Sequence, residues 1–132
     1  MSRVFPFISV DGAKDAIELY KKAFDAKIIG DITTYGEWAP DMTNKDLIAH
    51  AALDIDGSPM FIGDAVDQPY KEQSRVTVNI EIPTLEKVKS SFMVLKEDAK
   101  QVFYEPKDVG WSELGYCVRD KYGIIWMAYY RE

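Results

Sequence analysis

The 132-residue chain has one cysteine, Cys117, and one histidine, His50. A single cysteine excludes an intrachain disulfide and fits a reducing, cytoplasmic setting. A lone imidazole cannot hold a structural metal without carboxylates beside it. Positive charge is also scarce: 16 Lys and Arg face 22 Asp and Glu, a net charge of −6. Nucleic acid is therefore not an expected partner, because phosphate binding needs a basic patch. Lys14, Lys21, Lys22, Lys87, Lys89 and Lys96 are scattered and read as solvated helix faces. No apolar run approaches the ~20 residues of a membrane span, so no membrane association is expected. Met1–Ser2–Arg3 leads directly into a strand pattern, with no signal peptide expected.

What the chain does have is one plan written twice. Each half runs strand, helix, then three strands. Matching Ser9 to Glu81 gives an offset of 81 − 9 = 72, and matching Gly57 to Gly123 gives 123 − 57 = 66. The repeat is one of element order, with a longer loop in the first half. This organises the chain as a first module over about residues 1–65, a polar linker with Pro69 over about 66–74, and a second module over about 75–132.

Alternation in Val4–Val10 puts Val4, Pro6, Ile8 and Val10 on one face and Phe5, Phe7 and Ser9 on the other. Asp11–Gly12 is a turn and cap signal. Ala13, Ala16, Ile17, Tyr20 and Phe24 then recur at helical spacing. Lys27–Tyr35 reads as a strand, and Gly36–Lys45 as a loop carrying Trp38 and Met42. Leu47–Ile55 and Ser58–Gly63 flank an Asp56–Gly57 hairpin turn. In the second half Val76–Ile82 alternates, and Thr84 caps a helix with Leu85, Val88, Phe92, Leu95 and Ala99 on its buried stripe. Val102–Tyr104, Trp111–Val118 and Ile124–Tyr130 read as the last strands, with Asp120–Lys121–Tyr122–Gly123 as a hairpin loop. Many strands with two helices predict an α+β fold: two βαβββ modules with pseudo-two-fold symmetry, helices on the outer face and a sheet-lined cleft.

These elements resemble the glyoxalase/bleomycin-resistance/dioxygenase (vicinal oxygen chelate) superfamily over nearly the whole chain. The local phrases are closest to its PhnB-like branch: Ala16–Tyr20 followed by Ala23–Phe24, Ala49–Leu53, Trp111, and Asp120–Met127. The resemblance implies paired modules and, commonly, a homodimer. Metal enzymes of the superfamily take His or Glu ligands from four cleft positions, which map here to Phe5, Phe61, Thr77 and Met127. Phe has no donor atom, Thr is a poor ligand and Met a soft thioether. No metal or other cofactor is therefore expected. The branch is sometimes labelled a demethylubiquinone methyltransferase domain. Such enzymes usually hold S-adenosylmethionine on a glycine-rich strand–helix turn, which Asp11–Gly12 does not provide.

His50 shares a strand face with Ile48, Ala52 and Asp54, opposite Ala49, Ala51 and Leu53, which places it towards the cleft. Its options are proton transfer, ligand orientation or a structural hydrogen bond. Glu81 and Asn79 share the Thr77 face, and Glu81 reads as a rim residue. Cys117 reads as a buried, inert thiol, since no base or cation is adjacent to activate it. The resulting expectation is a dimeric, metal-free protein that binds a small apolar or aromatic molecule through Phe5, Phe7, His50, Phe61, Thr77, Asn79 and Met127. Such a protein could sequester a toxic compound, as the bleomycin-resistance relatives do. One alternative is a lyase, isomerase or dioxygenase with His50 as general acid/base and a divalent metal at unidentified ligands. Another is a structural protein whose cleft is simply filled.

Overall fold

The computed structural model describes residues 3–38, 44–66 and 76–132. The chain divides into two compact units, Met1–Pro69 and Tyr70–Glu132. In the first, β1 (Phe7–Val10), β2 (Lys27–Thr34), β3 (Ile48–Ile55) and β4 (Ser58–Asp64) form one sheet in the order β1-β4-β3-β2. In the second, β5 (Val78–Ile82), β6 (Gln101–Lys107), β7 (Gly115–Arg119) and β8 (Ile125–Tyr130) form another, ordered β5-β8-β7-β6. Each outer pair, β1 with β4 and β5 with β8, is parallel, and the remaining pairs are antiparallel. The two modules expected from the repeat are thus present, each with its own four-stranded sheet.

Each sheet carries one long helix. In α1 (Ala13–Phe24), Ala13, Ala16, Ile17, Tyr20, Ala23 and Phe24 are buried, and the helix packs on β1, β3 and β4. Their partners are the inward residues Ile8, Val10, Ala49, Ala51, Leu53, Met60 and Ile62. A second, single-turn helix, α2, spans Tyr35–Trp38. In α3 (Leu85–Leu95), Val88, Ser91, Phe92 and Leu95 are buried against the second sheet. Thr84 caps it as expected, its hydroxyl oxygen accepting the Lys87 N–H at 3.1 Å. The buried Tyr116 hydroxyl shares a 2.8 Å hydrogen bond with Ser91, tying β7 to α3.

Both hairpin turns form. Asp56 and Gly57 have φ of 49° and 89°, the left-handed pair that a two-residue turn needs. The carboxylate of Asp120 organises the second hairpin. It accepts the N–H of Tyr122 at 2.8 Å, the N–H of Ile124 at 3.0 Å and the indole N–H of Trp126 at 2.8 Å. Trp126 is thereby held on the helix-covered face, opposite Met127.

Several expected boundaries move. Tyr35–Trp38 is helical rather than part of a strand and loop, and the Glu37 carboxylate reaches back to accept the Thr34 N–H at 3.1 Å, one half of a capping box. Strand β7 starts at Gly115 rather than Trp111. The preceding residues form a turn in which Asp108 accepts the Gly110 N–H at 2.8 Å and Val109 donates to the Ser112 carbonyl at 3.1 Å. Strand β6 is longer than Val102–Tyr104, since Pro106 is tolerated on an edge strand. Asp64, read as the first polar residue after the strand, is the buried end of β4. Met42, the side chain of Trp38 and most of the linker lie outside the described residues.

Candidate functional site

Pairing register superimposes the two sheets residue by residue. In the first, Phe61 pairs with Phe7 and with Ala52. In the second, Met127 pairs with Asn79 and with Cys117. These rows occupy the same place on the face turned away from the long helix of each half. Every candidate residue except Thr77 and Phe5 lies within a strand; Thr77 precedes β5 and is exposed, and Phe5 precedes β1.

The first-half row is an aromatic cluster built around Phe61. The Phe5 ring meets it edge-on at 4.8 Å between centroids, His50 at 4.4 Å and Phe7 at 6.0 Å. Phe7 and His50 also meet edge-on at 6.0 Å. Edge-to-face contacts of this kind align the positive ring edge with a negative ring face. The Arg3 guanidinium lies 5.6 Å from the centre of the Phe5 ring. Despite these contacts Phe7 stays 52% exposed, so the cluster presents aromatic surface rather than burying it.

Gly63 continues the Phe61 face two residues along β4 and pairs with Ser9. A Cβ there would stand 2.7 Å from the Ala49 carbonyl oxygen, so only glycine fits. The two backbones therefore approach closely beside the aromatic rings. His50 forms no hydrogen bond or ion pair among the described residues, and its ring contacts are the aromatic ones above. Nothing described here fixes the imidazole for proton transfer, which ordinarily needs an orienting partner.

The second-half row differs in chemistry. Asn79 and Glu81 are exposed, and Met127 and Tyr129 are half-buried. Glu81 accepts an ion pair from Arg131 Nε at 2.9 Å and a weak hydrogen bond from the Tyr129 hydroxyl at 3.4 Å, so it is an engaged rim residue. Trp111 meets the Tyr129 ring edge-on at 6.2 Å. Cys117 is buried, and burial pushes its thiol up from the ordinary range, with Arg119 acting in the opposite sense. An unreactive thiol follows.

The donor set does not fit a divalent metal. Phe5 and Phe61 contribute no donor atom, and no three His, Cys, Asp or Glu side chains are grouped to hold an ion among the described residues. Two buried aspartates escaped the sequence reading, Asp64 and Asp120, along with the buried Arg119. Asp64 Oδ1 accepts the N–H of Gly12 at 3.1 Å and of Ala13 at 2.8 Å, and Oδ2 accepts the Ile48 N–H at 2.8 Å. It caps α1 from across the sheet. Asp120 had a visible signal, an aspartate opening a tight turn, whereas Asp64 lies too far from Gly12 in sequence to leave one.

Residues 3–128 match the family model described as 3-demethylubiquinone-9 3-methyltransferase. A comparison with curated proteins finds no match. Among solved structures, the chain is similar to the PhnB protein from Bacillus cereus, at 20% identity and a TM-score of 0.79, covering 98% of this chain and 100% of that one. A protein from Pseudomonas aeruginosa matches at 17% identity and a TM-score of 0.85, covering 99% and 98%. The fosfomycin resistance protein FosX from Listeria monocytogenes, solved with Mn(II) and sulfate, matches at 11% identity and 0.69, covering 99% and 93%. At these identities the structural likenesses establish a shared glyoxalase-type fold and leave chemistry to the site. With its family match spanning almost the whole sequence, the chain belongs to the 3-demethylubiquinone-9 3-methyltransferase family.

Proposed function

We propose that the protein binds a small apolar or aromatic molecule without a metal, with Phe5, Phe7, His50 and Phe61 as the principal contact surface. The observation that carries this reading is the half-exposed Phe7 ring, arranged edge-to-face with His50 and Phe61. Planar apolar groups gain most from such a surface. Sequestration of a planar toxic compound is a role that needs no further catalytic group.

The family description names a methyl transfer, but the turn that would receive the charged part of a nucleotide-type cofactor is filled. The Gly12 and Ala13 amides at the start of α1 already donate to Asp64. The sheets are also mixed rather than doubly wound. No methyl-transfer step is derived from this geometry.

We further propose that the protein works as a homodimer. Edge strand β2 is exposed along both faces, with Ile28, Ile29 and Ile32 each more than a third exposed, and an unpaired apolar edge favours association. Light scattering coupled to gel filtration reports the mass directly.

The binding reading is tested with 1-naphthol, a neutral planar probe, by amide chemical-shift mapping. Saturable shifts at Phe7, His50, Phe61 and Gly63 are expected, and Phe7→Ala should weaken binding about tenfold, ~1.4 kcal/mol. No saturable shift in this set, or equal affinity in the variant, would refute the proposal.

A further inference from the structure

Arg119 ends β7 with a side chain that has no business being buried unless something charged comes to it. It is only 8% exposed, and its Nη1 is fully buried with no hydrogen-bond partner among the described residues. A guanidinium stays protonated at any accessible pH, so it cannot escape the desolvation cost by losing its proton. Burying an unpaired charge costs several kcal/mol, by order-of-magnitude reasoning, unless a counter-charge or hydrogen bonds compensate. The local groups do not supply that compensation. The Phe103 ring lies 5.9 Å from the guanidinium carbon, a contact of roughly 0.5–2 kcal/mol. Asp120, the next residue, is committed to Tyr122, Ile124 and Trp126. Cys117, two residues away on the same strand face, is a buried thiol pushed towards its neutral form, so it offers no compensating charge.

The placement is as informative as the missing partner. Tyr116 and Val118 turn towards α3, as the Tyr116–Ser91 hydrogen bond shows, so Cys117 and Arg119 turn to the opposite face. On that face Cys117 pairs with Met127 and Tyr104, and Met127 pairs with Asn79. Arg119 therefore stands beside a row with a thioether, a thiol, a phenol and an amide. Its register equivalent in the first sheet is Asp54, since 119 − 65 = 54 just as Cys117 matches Ala52. The two halves place opposite charges at the same position, so Arg119 is not a requirement of the module fold.

We propose that Arg119 is the anchor of an oxyanion-binding site on the face of the second sheet turned away from α3, taking a carboxylate or phosphoryl group of a small organic acid. The fork of the guanidinium matches two oxygens of either group, and Met127 and Phe103 supply apolar contact for the body of the ligand. The site stands on different residues from the aromatic cluster of the first half, so either can fail without the other.

The test uses the full chain with three probes: inorganic phosphate, phenylphosphonate and benzoate, against chloride at matched ionic strength. In the unmodified protein, saturable amide shifts are expected at Cys117, Arg119 and Met127, with a rise in Tm that chloride does not reproduce. Phosphate alone or phenylphosphonate binding identifies a phosphoryl ligand; benzoate binding identifies a carboxylate. Arg119→Met should abolish these responses while leaving the ligand-free Tm unchanged or higher, because it removes an uncompensated buried charge. Arg119→Lys keeps the charge, loses the fork and should bind about tenfold more weakly or worse. The proposal is overturned if no probe shifts these amides in the unmodified protein, or if Arg119→Met binds as well. It is equally overturned if Arg119→Met lowers Tm and dissociates an oligomer, which would assign the guanidinium to a carboxylate of a second copy.

Discussion

Replacing Asp64 with alanine removes one carboxylate and strands three backbone donors. Gly12, Ala13 and Ile48 all donate to it, at 2.8–3.1 Å. Gly12 is exposed and water can replace its partner, so its loss is small. Ala13 is fully buried and Ile48 nearly so, and an unsatisfied buried N–H costs about 1–3 kcal/mol. Two such donors, with the lost helix cap, predict a destabilisation of about 3–5 kcal/mol, a large share of the ~5–15 kcal/mol typical of a domain. Asp64→Asn is the sharper variant. The three partners are all donors, so an amide can satisfy one side only by pointing its NH₂ at the other. It should recover little, remaining at least ~2 kcal/mol below the unmodified protein. Urea unfolding followed by tryptophan fluorescence measures both, with an unchanged slope expected. A loss under about 1 kcal/mol for Asp64→Ala would show that the three donors find other partners, and the account of how α1 is tied to β3 and β4 would fall.

Gly63→Ala should destabilise by about 1–3 kcal/mol in the same assay, because its methyl group would meet the Ala49 carbonyl oxygen; a neutral effect would mean that β3 and β4 separate freely there. Burial raises the Tyr116 hydroxyl well above its ordinary value of 10.0, so it stays protonated when folded while the unfolded chain ionises. The folded state then holds more protons, and stability should fall as pH rises above about 10. Tyr116→Phe should flatten that alkaline decline, and an identical pH profile in the variant would assign it to other groups. Cys117 should resist a thiol reagent in the native protein and react on unfolding, since it is buried with its thiol shifted up; rapid native labelling would contradict this.

Local order was legible wherever neighbours in sequence make the contact. The α1 stripe, the Thr84 cap and the Asp56–Gly57 turn are all written within a few residues, and each appears as expected. The Thr34–Glu37 hydrogen bond was equally local, but Gly36 and Pro40 drew the segment into a loop reading. Strand faces were legible too, because alternation separates Ile8 and Val10 from Phe7 and Ser9. Alternation gave the faces of Phe7 and His50, the resemblance gave Phe61, and the three rings lie together in the fold.

The sequence by itself determined the repeated module and the faces of its strands, since periodicity and residue type carry those directly. Tertiary structure decided which polar groups are satisfied. Asp64 reaches a helix more than fifty residues earlier, and only the pairing of β3 with β4 brings Ile48 to its other oxygen. Arg119 reads in the sequence as a strand-end charge like any other. Its significance comes from the folded chain, where its Nη1 is buried with no hydrogen-bond partner among the described residues, and hydration and hydrogen bonding are properties of three-dimensional surroundings.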